Sequence, residues 1–271
     1  MSWTLIAQKE IGDLRRNRQL YGMAVLFAAM FGLLGYIHAN SVNDGFGSPN
    51  ELVMLIGMLG TYIIPAVALM LSYETIVKRR HNGQLELLLG FPHHRRDLVL
   101  GGYVGRFLVV ATVIVAGLWA CGMVVVLMGA TVLGAAYMAF LFVSLVLALA
   151  YTAAGITISA SVRSPSWASV ATFSVYLMFV LAWRIVPSGL AYLLNGFERP
   201  ATSPWWTEYV LTLSPNLAVE EIFVWMLPES TAESIALAGS GSGVEFAAVV
   251  LLAWIVLLPL AGYLRFDRTD L

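Results

Sequence analysis

Charged residues are spaced so widely along this chain that they divide it into long apolar blocks. Between Arg18 and Asp44 lie 25 residues without Asp, Glu, Lys or Arg, between Glu51 and Glu74 there are 22, and between Arg106 and Arg163 there are 56. Two more blocks follow, 20 residues between Arg163 and Arg184 and 19 between Glu245 and Arg265. A helix needs about 20 apolar residues to cross a hydrocarbon layer of about 30 Å. The 56-residue block would make a helix roughly 84 Å long, far too long for one crossing. Gly129 and Gly134, flanking Ala130 to Leu133, supply a tight turn in its middle. The pattern therefore predicts an all-α polytopic membrane protein, one transmembrane domain over residues 1–271. Its six transmembrane helices are expected at 20–38, 52–73, 107–128, 135–159, 167–186 and 246–264.

Shorter patterns fill the connections. At 2–18, Trp3, Ala7, Ile11 and Leu14 share one helical face while Lys9, Asp13 and Arg16 lie on another, as in a basic helix lying at a membrane surface. Gln84, Leu85, Glu86, Leu87, Leu88 and Leu89 form a short helix candidate between Gly83 and Gly90, with Phe91 and Pro92 breaking it. So short a helix has little stability alone, so its leucines must bury in lipid headgroups or against a partner. A further helix starts near Arg96 and Asp97 and runs into the third span, where Gly101 and Gly105 allow close helix contact. Ser159 to Ser166, with Arg163 inside, is a turn of a few residues. In 187–245, Ser214-Pro215-Asn216 signals a helix start. Ala218, Val219, Ile222, Phe223 and Met226 then recur at helical spacing until Pro228, predicting a helix that lies on the membrane or caps the bundle. Gly239 to Gly243, alternating Gly and Ser, reads as a flexible linker.

Composition excludes the alternatives. The set AVILMFWYC makes up 59% of the 271 residues and charged residues only 11%, with a mean hydropathy of +0.82. A soluble domain carries roughly a quarter of its residues charged, and disordered chains are poor in apolar residues. A net charge of −1 gives no case for nucleic-acid binding. The single Cys121 allows no internal disulfide and lies in an apolar run, where it packs as a small hydrophobe.

Charge does set an orientation. With the N-terminus inside, 13 of the 15 Lys and Arg fall on the cytoplasmic face, and only Arg184 and Arg199 fall outside. Nine of the 16 acids are outside. Both termini are then cytoplasmic, in a multi-pass protein of the plasma membrane, and no cleavage site for a signal peptide clearly follows Arg15, Arg16 and Arg18.

Catalytic chemistry is missing. No stretch reads G-x-x-x-x-G-K-[ST], and Lys9 and Lys78, the only lysines, do not follow glycine; ATP cannot be held through a P-loop of the chain's own. The pair Glu220-Glu221 resembles that of intramembrane prenyl-protein proteases, but Trp225 stands where that pattern has Arg. His38, His81, His93 and His94 fall outside span interiors, and His93-His94 makes no complete metal site. No metal or cofactor is expected. Arg184, near the outer end of the fifth span, is the one ionisable exception among the spans. It is a candidate intramembrane functional residue, with snorkelling or pairing with an external Glu as the plainer readings. Uncharged span interiors argue against a proton-coupled pump or a voltage-gated channel.

The layout resembles the type 2 ABC transporter permeases, in the branch that includes the permease of the nitrous-oxide-reductase maturation transporter. Ile6-Ala7-Gln8-Lys9-Glu10 with Arg15, Arg16 and Arg18 looks like that family's interfacial elbow helix, to which Trp3 also belongs. Gly83 to Pro92 and Leu98 to Gly101 look like its first coupling hairpin, within 74–106. Ser214-Pro215 and the ending Arg265 to Leu271 match its C-terminal third, while Gly102 departs from the Lys often found there. The resemblance implies two permease copies, as a homodimer or heterodimer in membrane lipid, and two ATP-binding subunits. Closure of those subunits would be transmitted through Gln84 to Leu89, Pro92 and the Arg163 turn. The expected function is the permease subunit of an ABC exporter, not itself an enzyme. The alternatives are a non-transporting anchor or mechanical subunit of such a complex, or an ATP-independent channel or carrier.

Overall fold

A computed structural model describes residues 2–14, 18–48, 50–84, 94–131, 134–234 and 239–268. Among them there is helix and no strand. Helix α1 (Ser2–Leu14) precedes α2 (Arg18–Asn43) and α3 (Glu51–Ser72), which continues after a short turn as α4 (Val77–His81). Two long helices follow, α5 (Arg95–Leu127) and α6 (Gly134–Ser161). Helix α7 (Pro165–Tyr176) runs through a π-turn (Leu177–Ala182) and a 3-10 turn (Trp183–Ile185) into α8 (Val186–Leu194). After α9 (Trp206–Thr212), α10 (Pro215–Met226) and α11 (Glu229–Ser234), α12 (Val244–Leu252) passes through a second π-turn (Ala253–Leu257) into α13 (Leu258–Asp267).

Six of these segments are long and apolar enough to cross a membrane: Tyr21–Asn43, Glu51–His81, Arg95–Leu127, Gly134–Ser161, Pro165–Leu194 and Val244–Asp267. Each overlaps one of the six spans read from the sequence. The helix expected to start near Arg96 starts at Arg95 and is continuous with the third span. Its 33 residues measure about 50 Å, so its first turns extend past a hydrocarbon layer of about 30 Å. The backbone N–H of His94 donates to Asp97 (3.2 Å) and caps that start. Ser164 caps α7 by accepting from Trp167 N (3.2 Å), with Pro165 in the first turn.

The fourth segment is the core, with 72% of its most apolar stretch buried, against 6% for the fifth segment. Helices close on one another over glycines, as expected where packing rather than hydrophobicity joins them. A Cβ on Gly35 would lie 2.7 Å from Cys121 O, and one on Gly262 would lie 3.0 Å from Thr157 Cα. On Gly101 it would lie 2.7 Å from Ile6 Cβ and 2.8 Å from Trp3 O. Gly101 therefore takes the close contact expected of it, with α1 as its partner. The buried stripe of α1 is Ile6 and Ala7, whereas Trp3 is 41% exposed. Of the expected stripe, Ala7 is buried and Trp3 is not, because the groove at Gly101 receives the Ile6 side of the helix; the side chains of Ile11 and Leu14 lie outside the described residues.

The largest departure concerns 187–245. Helices α9 and α10 do not lie on the bundle; they form a hairpin that sinks into it. Asn216 Nδ2 donates to Thr61 O (2.8 Å), and Thr61 stands about 15 Å along α3 from Glu51. Ser214 Oγ donates to Phe179 O in the first π-turn (2.9 Å), and Trp254 Nε1 in the second donates to Leu213 O (3.1 Å). Irregular backbone at such a depth persists only where protein satisfies it. Trp183 Nε1 accordingly donates to Val210 O and Leu211 O (2.9 and 3.1 Å), and Tyr151 Oη donates to Asn216 Oδ1 (2.5 Å). The acceptor Thr61 O has its own cause. Pro65 lies inside α3 and has no N–H for the carbonyl four residues back, and Asn216 supplies that donor.

Candidate functional sites at the two ends of the bundle

The end carrying most Lys and Arg is the basic end, and the end carrying the hairpin is the acidic end. At the basic end four elements meet. Ser159 Oγ of α6 accepts from Ile76 N and Val77 N (2.9 and 3.1 Å) and so anchors the start of α4. From α4, Arg80 Nη1 donates to Val162 O (3.2 Å), beside Arg163. Arg95 Nη1 donates to Phe266 O (2.6 Å) and Asp267 O (3.2 Å), placing a cation on the last carbonyls of α13. The buried Phe266 ring receives both guanidiniums, Arg80 at 5.2 Å and Arg95 at 5.3 Å. Lys78 pairs with Glu74 one helical turn away (3.2 Å) on the exposed side.

Of the coupling residues read from the sequence, Gln84 and Arg163 are both exposed at this end, and Gln84 follows Gly83, whose φ is +68°. Arg80 binds the helix leading to Gln84 to the turn containing Arg163. Leu85, Glu86, Leu87, Leu88, Leu89 and Pro92 lie outside the described residues, as do His93, Arg15 and Arg16. Lys9 is exposed on α1, and the side chain of Glu10 lies outside the described residues. Phe266 had no individual place in the sequence reading; its only signal was an aromatic between Arg265 and Asp267.

At the acidic end the adjacent glutamates do separate work. Arg184 Nη2 lies 2.5 Å from Glu220 Oε2, with the Arg184 side chain 66% exposed and that of Glu220 21% exposed. Burial pushes the Glu220 carboxyl above the usual carboxylate range, while Arg184 draws it back. Glu221 accepts from Ser240 Oγ (2.9 Å), Gly241 N (3.2 Å) and Gly243 N (3.2 Å). Thr212 Oγ1 adds contacts to Ser240 and Ser242 (2.6 and 2.7 Å). The stretch read as a flexible linker is thus a loop folded around a carboxylate. Positive φ at Gly241 (+82°) and Gly243 (+93°) turns their N–H groups toward it. Glycine here serves geometry, which composition alone does not distinguish from flexibility.

Two spaces border Arg184. A cavity of about 330 Å³ lies among α3, α6 and α10, lined by Met54, Val143, Phe223, Ser144, Asn216 and Glu220 among others. A cleft of about 840 Å³ lies beyond it, between α8 and α9, lined by Arg184, Tyr192, Arg199 and Thr207 among others. No group of three or more metal-ligating side chains occurs among the described residues.

Comparison with known proteins agrees with this architecture. Residues 4–271 match the family described as ABC-2 family transporter protein. The chain is 29% identical over 272 residues to the probable ABC transporter permease protein NosY of Stutzerimonas stutzeri, covering 97% of each chain. It is 30% identical over 219 residues to the protein of the same name from Pseudomonas aeruginosa, covering 79% of this chain and 78% of that one. A six-segment helical membrane protein matched over nearly its whole length in this way belongs to the ABC-2 family of transporter proteins, as a transmembrane permease subunit, and the family implies an ATP-binding partner subunit.

Proposed function

We propose that the chain is one of two permease copies that join two ATP-binding subunits at the basic end and export substrate across the plasma membrane. The observation that carries this reading is the joint at the basic end. Arg80, Arg95 and Phe266 tie α4, the Val162 turn, α5 and α13 together. A push on the segment that follows Gln84 would therefore reach the second, third, fourth and sixth membrane segments at once. The leucines from Leu85 to Leu89 and Pro92 supply the docking surface, and Arg163 a second contact. The positive-inside rule puts this end, with both termini, in the cytoplasm. Helix α1, docked on α5 by Ile6 and Ala7 and followed in the sequence by Arg15, Arg16 and Arg18, serves as the interfacial elbow, to which we assign Trp3, Lys9, Glu10, Arg15 and Arg16. The barely buried fifth segment shows Trp167, Phe173, Leu181 and Ile185. This is the face for the second copy.

The test is purification of the tagged chain from its native membranes, with a P-loop ATPase expected in equal amount and ATP hydrolysis in that subunit only. Stoichiometric ATP binding by the isolated chain would overturn the reading. Orientation is checked in a Cys121→Ala background. Thr202→Cys, exposed beyond α8, should react with an impermeant maleimide in intact cells, and Gln84→Cys only after permeabilisation. The reverse pattern would invert the topology.

A further inference from the structure

The two cations that break the charge asymmetry meet at one place. The sequence assigns thirteen of the fifteen Lys and Arg to the basic end; the remaining two, Arg184 and Arg199, both line the 840 Å³ cleft. No carboxylate is among its described lining residues, although the surrounding acidic end carries nine acids. Arg184 also lines the 330 Å³ cavity, so its side chain stands between the two spaces. On the cavity side, Ser144 is 2% exposed and its Oγ is buried without a hydrogen-bond partner. That hydroxyl has hydrogen-bonding capacity left for a further polar partner. The rest of the wall is mostly apolar, with Met54, Met58, Val143 and Phe223.

Polarity selects the sign of the ligand. Glu220 is the one carboxylate on the described cavity wall and is already paired with Arg184. Arg184 offers that carboxylate one nitrogen, and the guanidinium is a planar fork of five donors suited to carboxylate, sulfonate and phosphate. In this pair the cation is the more exposed partner, which leaves guanidinium donors for a second anion. The volume is at the small end for ligand pockets, which limits the apolar body to a compact one.

We propose that cavity and cleft form a binding and exit path for a compact amphipathic organic anion. Its apolar body would lie on Met54, Val143 and Phe223, and its acidic group would pass from Ser144 by way of Arg184 to Arg199. The direction of passage rests on the permease reading; the binding site does not.

The experiment measures modification of Ser144→Cys in a Cys121→Ala background, on the full chain in lipid nanodiscs. Three reagents are compared: anionic sulfonatoethyl, cationic trimethylammonioethyl and neutral methyl methanethiosulfonate. Each rate is normalised to that with 2-mercaptoethanol. The anionic reagent should be favoured over the cationic one by about tenfold, as expected for a local field of this kind. Arg184→Gln should bring the ratio to parity or reverse it, Arg184→Lys should retain it, and Arg199→Gln, at an exposed position, should reduce it. Rates with the neutral reagent should stay constant across the set, showing that the fold is intact. A ratio at or below one in the parent, a ratio indifferent to both arginines, or reaction with none or only the neutral reagent would overturn the proposal. No ATPase takes part in this measurement. Anion preference without a co-purifying ATPase would sink the permease reading and leave the site standing; the reverse result would do the opposite.

Discussion

Asn216→Leu should destabilise the protein by leaving a donor and an acceptor alone at membrane depth. The native side chain accepts from Tyr151 Oη and donates to Thr61 O, and Tyr151 is fully buried. Leucine keeps the branched four-atom outline, with bulkier ends, and removes both bonds. Each buried polar group left without a partner costs about 1–3 kcal/mol, so the variant should lose about 2–6 kcal/mol. The origin of the Thr61 contribution can be isolated. Pro65→Ala restores the N–H that α3 lacks, so Thr61 O regains a helical partner. In that background Asn216→Leu should cost about 1–3 kcal/mol less, a coupling well above the roughly 0.3–0.5 kcal/mol scatter of independent sites. Tyr151→Phe removes the other orphan and should relieve the remainder. The assay is reversible unfolding in mixed micelles titrated with sodium dodecyl sulfate, run on the four members of each cycle. Strict additivity of Pro65→Ala and Asn216→Leu would refute the claim that Asn216 serves the carbonyl freed by the proline.

Other consequences are more local. Gly101→Leu places a side chain where Ile6 and Trp3 now pack; it should detach α1, cost about 1–3 kcal/mol, and speed proteolytic cleavage near 14–18. Glu221→Gln keeps the shape but weakens three charge-assisted bonds to 240–243; amide exchange at Gly241 and Gly243 should accelerate while the spans stay protected. Glu220 is raised by burial, so the folded protein holds its proton to higher pH than the unfolded chain does. Stability from this group therefore falls as pH rises from the ordinary carboxylate range through the Glu220 value. Glu220→Gln should remove that fall, read from unfolding midpoints across pH.

Much of this fold is legible because membranes impose a simple rule on charge. The spacing of Asp, Glu, Lys and Arg locates all six segments, and one block of 56 residues divides where Gly129 adopts a positive φ of +73°. The start of α5 at Arg95 falls one residue before the Arg96 expected from the sequence. The hairpin of α9 and α10 escapes the charge rule for a physical reason. Its uncharged run, residues 209–219, is too short to cross a bilayer, so length argues for a surface helix. What holds it at depth is a set of partners far away in sequence, namely Thr61, Tyr151, Trp183 and Trp254. The proline at position 65 was the one local sign that a carbonyl of α3 needed an outside donor. The π-turns at 177–182 and 253–257 leave no mark at all, because one extra residue per turn in a uniform apolar run changes no pattern. At the acidic end, Arg184 is visible as an exception to the charge rule, with pairing to an external Glu as one of the two plainer readings beside a functional one. Its position between two spaces depends on the depth of the hairpin and could not be read from the sequence.

The coupling surface tests the central claim most directly. Leu87→Asp combined with Leu88→Asp removes two apolar contacts, each worth roughly 1.5–3 kcal/mol when fully buried, and adds charges that a docked interface must desolvate. The correctly inserted variant should release the ATP-binding subunit on purification and lose ATP-dependent activity in proteoliposomes, while the six segments remain inserted and the permease pair remains associated. Undiminished co-purification and activity would contradict the account, because the drive would then enter the bundle elsewhere.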